Sequence, residues 1–508
     1  MRPALNAALV ATLGACAPRA FVPRELDGVL TAPSGAAALE GARSLAELPG
    51  MSPPPAAPAP DAARSFDGEL GLDAVLASVT ERYPPLLAKL LQRDLASGRL
   101  QQAMGGFDAY VSAKVGGRVE GFYESTVAQG LIEQPLASGD TIYGGYRISD
   151  GYLPDYYRDR TQDDGELVFG GRIPLLQNRS IDGRRAGVRV AELGVLLAEP
   201  EIRSARIQFV REATSSFRKW VATGRKLGIA RELLRLANDR DAGLRRAVAR
   251  EFLAPIALTD NERLIAQRSI YVVQAERAFQ RAALELSLFL RDGEDLPIVA
   301  GEANLPERAQ ADLVAPGSTL EADLTLAVRQ RPELELLQLR IEQAGAEAQL
   351  ADNQTMPQLD VVVEGAASLS AGPYTDREDL ELFVGGELKV PIQRREALGK
   401  LQQAEAKKRR LRIERGFLQD RISNELLDAR SAMRAAVRQV ELNEQNVDRA
   451  EQLVAAEQRK FDLGLSNLLN VQLREGQLAS ARAQQIDARL RFDLAQAAYR
   501  AALGFAAE

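Results

Sequence analysis

The sequence predicts a mainly α protein with a small β part, built from long antiparallel coiled-coil helices and a few short two-faced strands. Three features of the chain lead there. Two stretches, from about Asp182 to Phe252 and from about Arg395 to Phe461, are dominated by Ala, Leu, Arg, Glu and Gln, with small and aliphatic residues recurring at three- and four-residue steps. Four short segments, near 108–120, 166–174, 359–369 and 380–390, alternate apolar and polar side chains instead. The motifs around them occur twice, in the same order.

Composition narrows the function classes before any motif is read. The chain has 508 residues, a net charge of −6, no His and one Cys. Without imidazole there is no His-liganded zinc, no Ser-His-Asp relay and no His acid–base catalysis. One Cys leaves neither an intramolecular disulfide nor a Cys-rich metal site. No cofactor and no metal are expected. Lys and Arg (64) nearly balance Asp and Glu (70) with no domain-sized basic block, so a nucleic-acid partner is not expected. The run Lys407, Lys408, Arg409, Arg410 and Arg412 lies in a helical pattern and reads as a solvated face.

The chain opens with Arg2, an apolar run from Ala4 to Leu13, and small residues before Cys16. That run is too short to span a bilayer and reads as an export signal over 1–15. Leu13-Gly14-Ala15-Cys16 looks like the lipobox of a bacterial lipoprotein, in which Cys16 becomes the acylated first residue. Acyl chains such as palmitate contribute about 0.8 kcal/mol per buried methylene, so several together anchor stably. Ala17 rather than Asp follows, which favours delivery to the outer membrane. The rest of 16–66, with its run PGMSPPPAAPAPDAA, reads as a Pro/Ala-rich tether.

The body divides into a first repeat over 67–305, a linker over 306–323 and a second repeat over 324–505. Glu81-Arg82-Tyr83-Pro84-Pro85-Leu86 resembles Arg329-Gln330-Arg331-Pro332-Glu333-Leu334 at an offset of 248. Gly171-Arg172-Ile173-Pro174 matches Leu388-Lys389-Val390-Pro391 at 217, and Arg250-Glu251-Phe252 matches Arg459-Lys460-Phe461 at 209. The fall from 248 to 217 gives the first copy about 31 extra residues between its two strands. Each copy reads helix, strand, loop, strand, long helix, turn, helix. The long helices would extend on the order of 100 Å if continuous, which calls for antiparallel coiled-coil packing. Pro200 predicts a kink or a helix start in the first copy.

Along the first strand, odd positions from Ala109 to Val119 are apolar or small, while Tyr110, Ser112, Lys114, Arg118 and Glu120 form the other face. In the second copy Leu359, Val361, Val363, Gly365 and Ala367 oppose Asp360, Glu364 and Ser368. Leu380, Leu382, Val384, Leu388 and Val390 likewise oppose Glu381, Glu387 and Lys389, with Phe383 falling on the polar side. Such strands suit a tilted outer-membrane crossing, and equally a soluble hairpin half buried against helices. Four strands cannot close a barrel, and open edges cannot stay unpaired in lipid. A membrane reading therefore requires several chains, and three would supply twelve strands.

One further stretch is specific: Arg459-Lys460-Phe461-Asp462-Leu463-Gly464-Leu465-Ser466-Asn467-Leu468-Leu469-Asn470-Val471, followed by Ala479, Ala481 and Ala483 and a terminal Tyr499-Arg500-Ala501-Ala502-Leu503-Gly504. With Pro332 and Met356-Pro357-Gln358-Leu359, and with the order and duplication above, the organisation over roughly 68–505 resembles the TolC-like outer-membrane efflux proteins, in lipoprotein form. The resemblance implies a homotrimer whose twelve-stranded transmembrane β-barrel continues into a periplasmic α-barrel of paired helices. It implies an exit duct of a tripartite efflux or type I secretion system in a Gram-negative-type outer membrane. The partners would be outer-membrane lipid, a periplasmic adaptor (membrane fusion) protein and an inner-membrane transporter, with passive export and no enzymatic step.

On this reading Phe461, Leu463, Gly464, Leu465 and Ser466 form a periplasmic tip and adaptor contact. In the first copy Phe252 and Pro255 take that place, with Pro255 opposite Gly464. Tyr110, Lys114, Arg118, Glu120, Asp360, Glu364, Glu387 and Lys389 would line the barrel lumen, their mixed signs giving a wet, weakly selective passage. The segment 121–164, with Tyr123, Tyr143, Tyr146, Tyr152, Tyr156 and Tyr157, would be a long external loop. Asp239, Arg240, Asp448 and Arg449 read as coiled-coil surface. The competing reading is a lipoprotein scaffold whose coiled coils organise the envelope without conducting.

Overall fold

A computed structural model of the chain describes residue 66 and residues 68–506, apart from 155–157, 253, 308–312, 314–315, 373 and 375–378. The expected signal peptide, Cys16, nearly all of the tether, and Tyr156 and Tyr157 lie outside the described residues. The first half of the body runs α1 (Leu72–Arg82), α2 (Pro84–Leu90), α3 (Gln92–Met104), β1 (Tyr110–Arg118), β2 (Ser125–Pro135), β3 (Thr141–Gly151), β4 (Glu166–Pro174), α4 (Gly183–Ala249) and α5 (Ile256–Ser287). The second runs α6 (Leu320–Gln330), α7 (Pro332–Asn353), β5 (Gln358–Ser368), β6 (Leu380–Lys389), α8 (Arg395–Asp462) and α9 (Leu468–Leu503).

The duplication is carried into three dimensions. Pro84 and Pro332 each open a helix, where the missing N–H costs nothing and φ is already helical. The rails α4 and α8 have 67 and 68 residues, each about 100 Å at 1.5 Å per residue. Asp182 caps α4 by accepting the Arg185 N–H at 2.9 Å. Pro200 lies buried inside α4, which continues through it, so the expected helix start is absent. Buried Leu197, Ala198 and Ile202 around it supply the packing that outweighs the lost bond, a penalty of about 3 kcal/mol in an isolated helix. The helix opening the second half, α6, begins at Leu320, inside the stretch expected as linker.

Each half holds its own core. Phe217, Trp220 and Leu227 of α4 pack with Val272, Phe279 and Leu286 of α5 and with Val75 and Val79 of α1. In the second half Ile422, Leu426 and Met433 of α8 pack with Ala488 and Phe492 of α9, Ala327 of α6 and Leu334 of α7. A buried polar node sits beside this second core. Asp323 of α6 accepts from Ser318 Oγ at 2.6 Å and Tyr499 Oη at 2.7 Å and pairs with Arg430, whose Nη2 donates to the Ser318 carbonyl at 2.8 Å. It ties α6, α8 and α9 together.

The strands form one antiparallel sheet in the order β1-β2-β3-β4-β5-β6. The four expected strands are present as β1, β4, β5 and β6. Two more, β2 and β3, occupy the segment expected as an external loop, so the expected four strands per chain, and the twelve they would give in three chains, are corrected to six among the described residues of each chain. The alternation is blurred in the letters, because Gly130, Gly144 and Gly145 have no side chain to show a face and Val127 and Leu131 put apolar residues on the polar one. Among the described residues no helix is long and apolar enough to cross a membrane.

Candidate functional site

The strand register sorts every side chain onto one of two faces, because pleating alternates them and paired residues share a side. One face carries Val111 and Val115 of β1, Ala128 and Ile132 of β2, Ile142, Tyr146 and Ile148 of β3, and Leu167, Phe169 and Ile173 of β4. It continues with Leu359, Val361 and Val363 of β5 and Leu380, Leu382, Val384 and Leu388 of β6. No charged residue interrupts it from Val111 to Val115 or anywhere on β4, β5 and β6. Leu382 is 72% exposed and Val111 77%. A run of exposed apolar side chains of this kind marks a surface that meets lipid or protein.

The opposite face gathers the residues expected to share a lumen. Tyr110, Lys114 and Arg118 lie on the same side as Asp360, Glu364, Glu387 and Lys389. Glu120 falls just past the end of β1, in the turn to β2. The unexpected strands add Gln129, Glu133, Tyr143 and Arg147 to this face, and β4 adds Glu166 and Arg172. Tyr110 Oη and Ser112 Oγ donate to Glu133 at 2.8 and 2.9 Å. Tyr143 Oη reaches over β4 to Glu364 Oε2 at 2.8 Å. It crosses above Gly170, where a Cβ would stand 2.8 Å from the Tyr143 ring and 2.5 Å from the Val363 carbonyl oxygen. Arg147 is paired to Glu166, Glu364 and Asp159, and all but Asp159 are buried.

At the end of the sheet away from the rails, the β3–β4 connection folds onto this polar face. Arg158 pairs with Glu364 at 2.5 Å and lies over the Phe383 ring at 4.4 Å. That contact accounts for an aromatic on the polar side of β6. Gln162 is held by the Tyr374 backbone from the β5–β6 connection, donating at 2.7 Å and accepting at 3.2 Å. Tyr123 stacks with Tyr152 at 5.7 Å at the same end. Tyr143 and Tyr146 are strand residues, on the polar and apolar faces respectively.

The far ends of the rails close in matching turns. After α8, the Gly464 N–H bonds to the Phe461 carbonyl and the Leu465 N–H to the Lys460 carbonyl, with Gly464 at φ 73°. This is a Schellman closure, and glycine takes its left-handed position without strain. After α4 the same pair of bonds runs from Glu251 to Val248 and from Phe252 to Ala247, with Glu251 at φ 62°. Glu251, not Pro255, is therefore the counterpart of Gly464, and Phe252 is the counterpart of Leu465. Pro255 instead precedes α5 as Asn467 precedes α9. Phe252 and Leu465 are 77% and 76% exposed, and Leu463 and Ile256 are exposed beside them. Ser466 bonds to Glu457 and so braces its turn from within.

Glu251 carries the strain that Gly464 avoids. Glu251→Gly is expected to stabilise the turn by up to about 1 kcal/mol, the left-handed penalty less the entropy glycine adds to the unfolded chain. A denaturant midpoint compared with the parent checks it, and an unchanged or lower midpoint goes against it.

One polar link behind the tips was not legible in sequence. Glu475 of α9 is buried and pairs with Arg240 of α4 and, at 3.2 Å, with Arg268 of α5, joining the two halves. Burial pulls the Arg268 guanidinium below its ordinary value while Glu475 opposes the shift. Of the residues expected as plain surface, Arg240 thus makes a long-range pair, whereas Asp239 and Arg449 bond within their own helices.

The model of a family described as outer membrane efflux protein matches residues 324–505. No curated protein matches the chain. Solved structures with a similar fold include a membrane protein from Pseudomonas aeruginosa, 15% identical over 89% of this chain and 99% of that one, with a TM-score of 0.62. The outer membrane protein VceC of Vibrio cholerae is 15% identical over 85% and 96%, with a TM-score of 0.60. The CmeC outer membrane channel of Campylobacter jejuni is 12% identical over 85% of both chains, with a TM-score of 0.63. At these identities the likeness to the solved structures is one of fold, and it extends over both halves of the body.

Proposed function

We propose, for a chain whose second half carries the outer membrane efflux protein pattern and whose body has the fold of TolC-like outer-membrane channels, that it is the outer-membrane exit duct of a tripartite efflux or type I secretion system. The observation that carries the reading is the two-faced sheet: an exposed apolar face without charges across β4, β5 and β6, backed by a face that holds the charged side chains of those strands, with unpaired edges on β1 and β6. Such a sheet is stable in lipid only when copies close its edges, leaving water inside and lipid outside. Three copies would share the barrel, and the paired rails would continue the passage for about 100 Å into the periplasm. Cargo would pass down the polar face passively, with energy supplied by the inner-membrane partner. Acylation of Cys16 would add a second hold on the membrane.

The test is single-channel conductance of the detergent-extracted oligomer in a planar bilayer. Discrete, reproducible steps are expected. A folded oligomer that never conducts, even with Glu475→Ala added to loosen the tips, would sink the duct and favour the envelope scaffold.

The tips are where an adaptor would dock, since Phe252, Leu463 and Leu465 are apolar, exposed and held by rigid turns. Leu465→Ser with Phe252→Ser is expected to weaken binding of the cognate adaptor at least tenfold with a shift in unfolding midpoint too small to resolve. Titration of labelled adaptor against both proteins measures this, and equal affinity would remove the tips from the contact.

A further inference from the structure

The β2–β3 hairpin is built as wall. Its register runs unbroken from Ser125 opposite Gly151 to Pro135 opposite Thr141, and it separates β1 from β4, which would otherwise be neighbours. Its two faces stay in phase with the strands on either side. Ala128, Ile132, Ile142 and Ile148 continue the apolar face, and Gln129, Glu133, Tyr143 and Arg147 continue the polar one. A plug inside a channel or a loop above the membrane would have no reason to keep that phase. Both strands have 11 residues, the length of a tilted crossing of about 9–11 residues. The hairpin is also laced to the original strands on the polar side, through Tyr110 to Glu133 and Tyr143 to Glu364.

We infer that three copies of this chain close an eighteen-stranded barrel, with β1 of each copy paired to β6 of the next. The inference rests on the shared-barrel reading of the function. The edges permit it: strands alternate in direction through the sheet, so β1 and β6 run opposite ways and meet antiparallel at every seam. The occupant of each edge is a second copy, because the apolar face crosses the sheet to both edges, at Val111 and Val115 on one side and Leu382 and Val384 on the other. Barrel diameter grows roughly linearly with strand number, so the pore would be about one and a half times as wide as a twelve-stranded one. The insertion thus sets the size of cargo the membrane section admits, and gives it room for the Arg158 segment folded against its inner face.

The test places single nitroxide labels in turn at 126–134 and 142–150 of the full-length chain reconstituted in bilayers. Collision with oxygen reports lipid, and collision with a water-soluble nickel chelate reports water. Oxygen access is expected to peak at 128, 132, 142 and 148 and nickel access at 129, 133 and 143, with period two. Light scattering is expected to count three copies. Nickel access on both faces of the hairpin, or an assembly of two copies, would overturn the eighteen-stranded barrel even if the channel conducts. Absence of conductance would instead fail the duct reading itself. Because many positions are scanned, a label that prevents assembly at one site leaves the periodicity readable from the rest.

Discussion

Asp323→Ala is expected to destabilise the body by about 3–5 kcal/mol, because it strips the partner from an arginine that remains buried. Arg430 of α8 reaches Asp323 of α6 with its side chain almost wholly enclosed, and Asp323 is its ion-pair partner there. Tyr499 and Ser318 lose their acceptor in the same step. Replacing both members of the pair, Asp323→Leu with Arg430→Met, is expected to recover most of the loss, since no buried charge is then left alone. Chemical denaturation of the reconstituted protein followed by circular dichroism compares the three. A double variant no better than the single one would mean that the geometry of the node, rather than its charge, is what counts.

The same node makes a pH prediction. Burial pushes the Asp323 carboxyl up, but the hydrogen bonds from Ser318, Tyr499 and Arg430 and the Arg430 charge more than offset it, leaving it below its ordinary value of 3.8. A carboxyl lowered by folding contributes its full stabilisation above the unfolded value and loses it as pH falls through the folded one. The gap between parent and Asp323→Ala should therefore be constant near neutrality and narrow below about pH 4. A gap that widens on acidification would reverse the assignment.

Val363→Arg is expected to cost about 2–4 kcal/mol in a bilayer, the range for an arginine on the lipid face of a barrel near midplane. Val362→Gln, one residue away, should be close to neutral. Val363 lies between Gly171 and Val384 on the apolar face, whereas Val362 lies beside Arg172 on the polar one. Both are valines of one strand, so position is nearly fixed while the face and the charge of the replacement differ. Urea unfolding in lipid, with the fraction of heat-resistant oligomer on gels as a second readout, distinguishes them. Equal effects would argue that neither face meets lipid.

The helical body was legible in sequence because propensity and period agree over long runs. The rails end within three residues of where the letters place them, and the proline-opened helices recur at the expected 248. The four strands were legible for the same reason, as each keeps its alternation. Three things were not. The hairpin was hidden by its glycines and by Val127 and Leu131 on its polar face, although an excess of about 31 residues is close to the length of one hairpin with its turns. The tips were misaligned because Phe252 and Phe461 look alike as letters, whereas the left-handed positions Glu251 and Gly464, set by hydrogen bonding, define the equivalence. The buried pairs were out of reach because Asp323 and Arg430, or Arg240 and Glu475, carry no local signal across 107 and 235 residues. Only packing reveals which charges of a helical chain leave the solvent.

The near-equal rails have a consequence for how such a duct would be gripped. With 67 and 68 residues, the two arms of a chain differ by one helical rise, about 1.5 Å. Each ends in a turn of the same hydrogen-bonded form with an apolar side chain at the same place. In a three-chain duct that would present six near-level handholds of two alternating kinds, Phe252 and Leu465. A partner offering matching grips would hold by avidity, since each further contact forms at an effective concentration set by the first. Every grip could then be weak and quickly exchanged while the whole assembly stays coupled, so that an adaptor could let go of a duct one contact at a time.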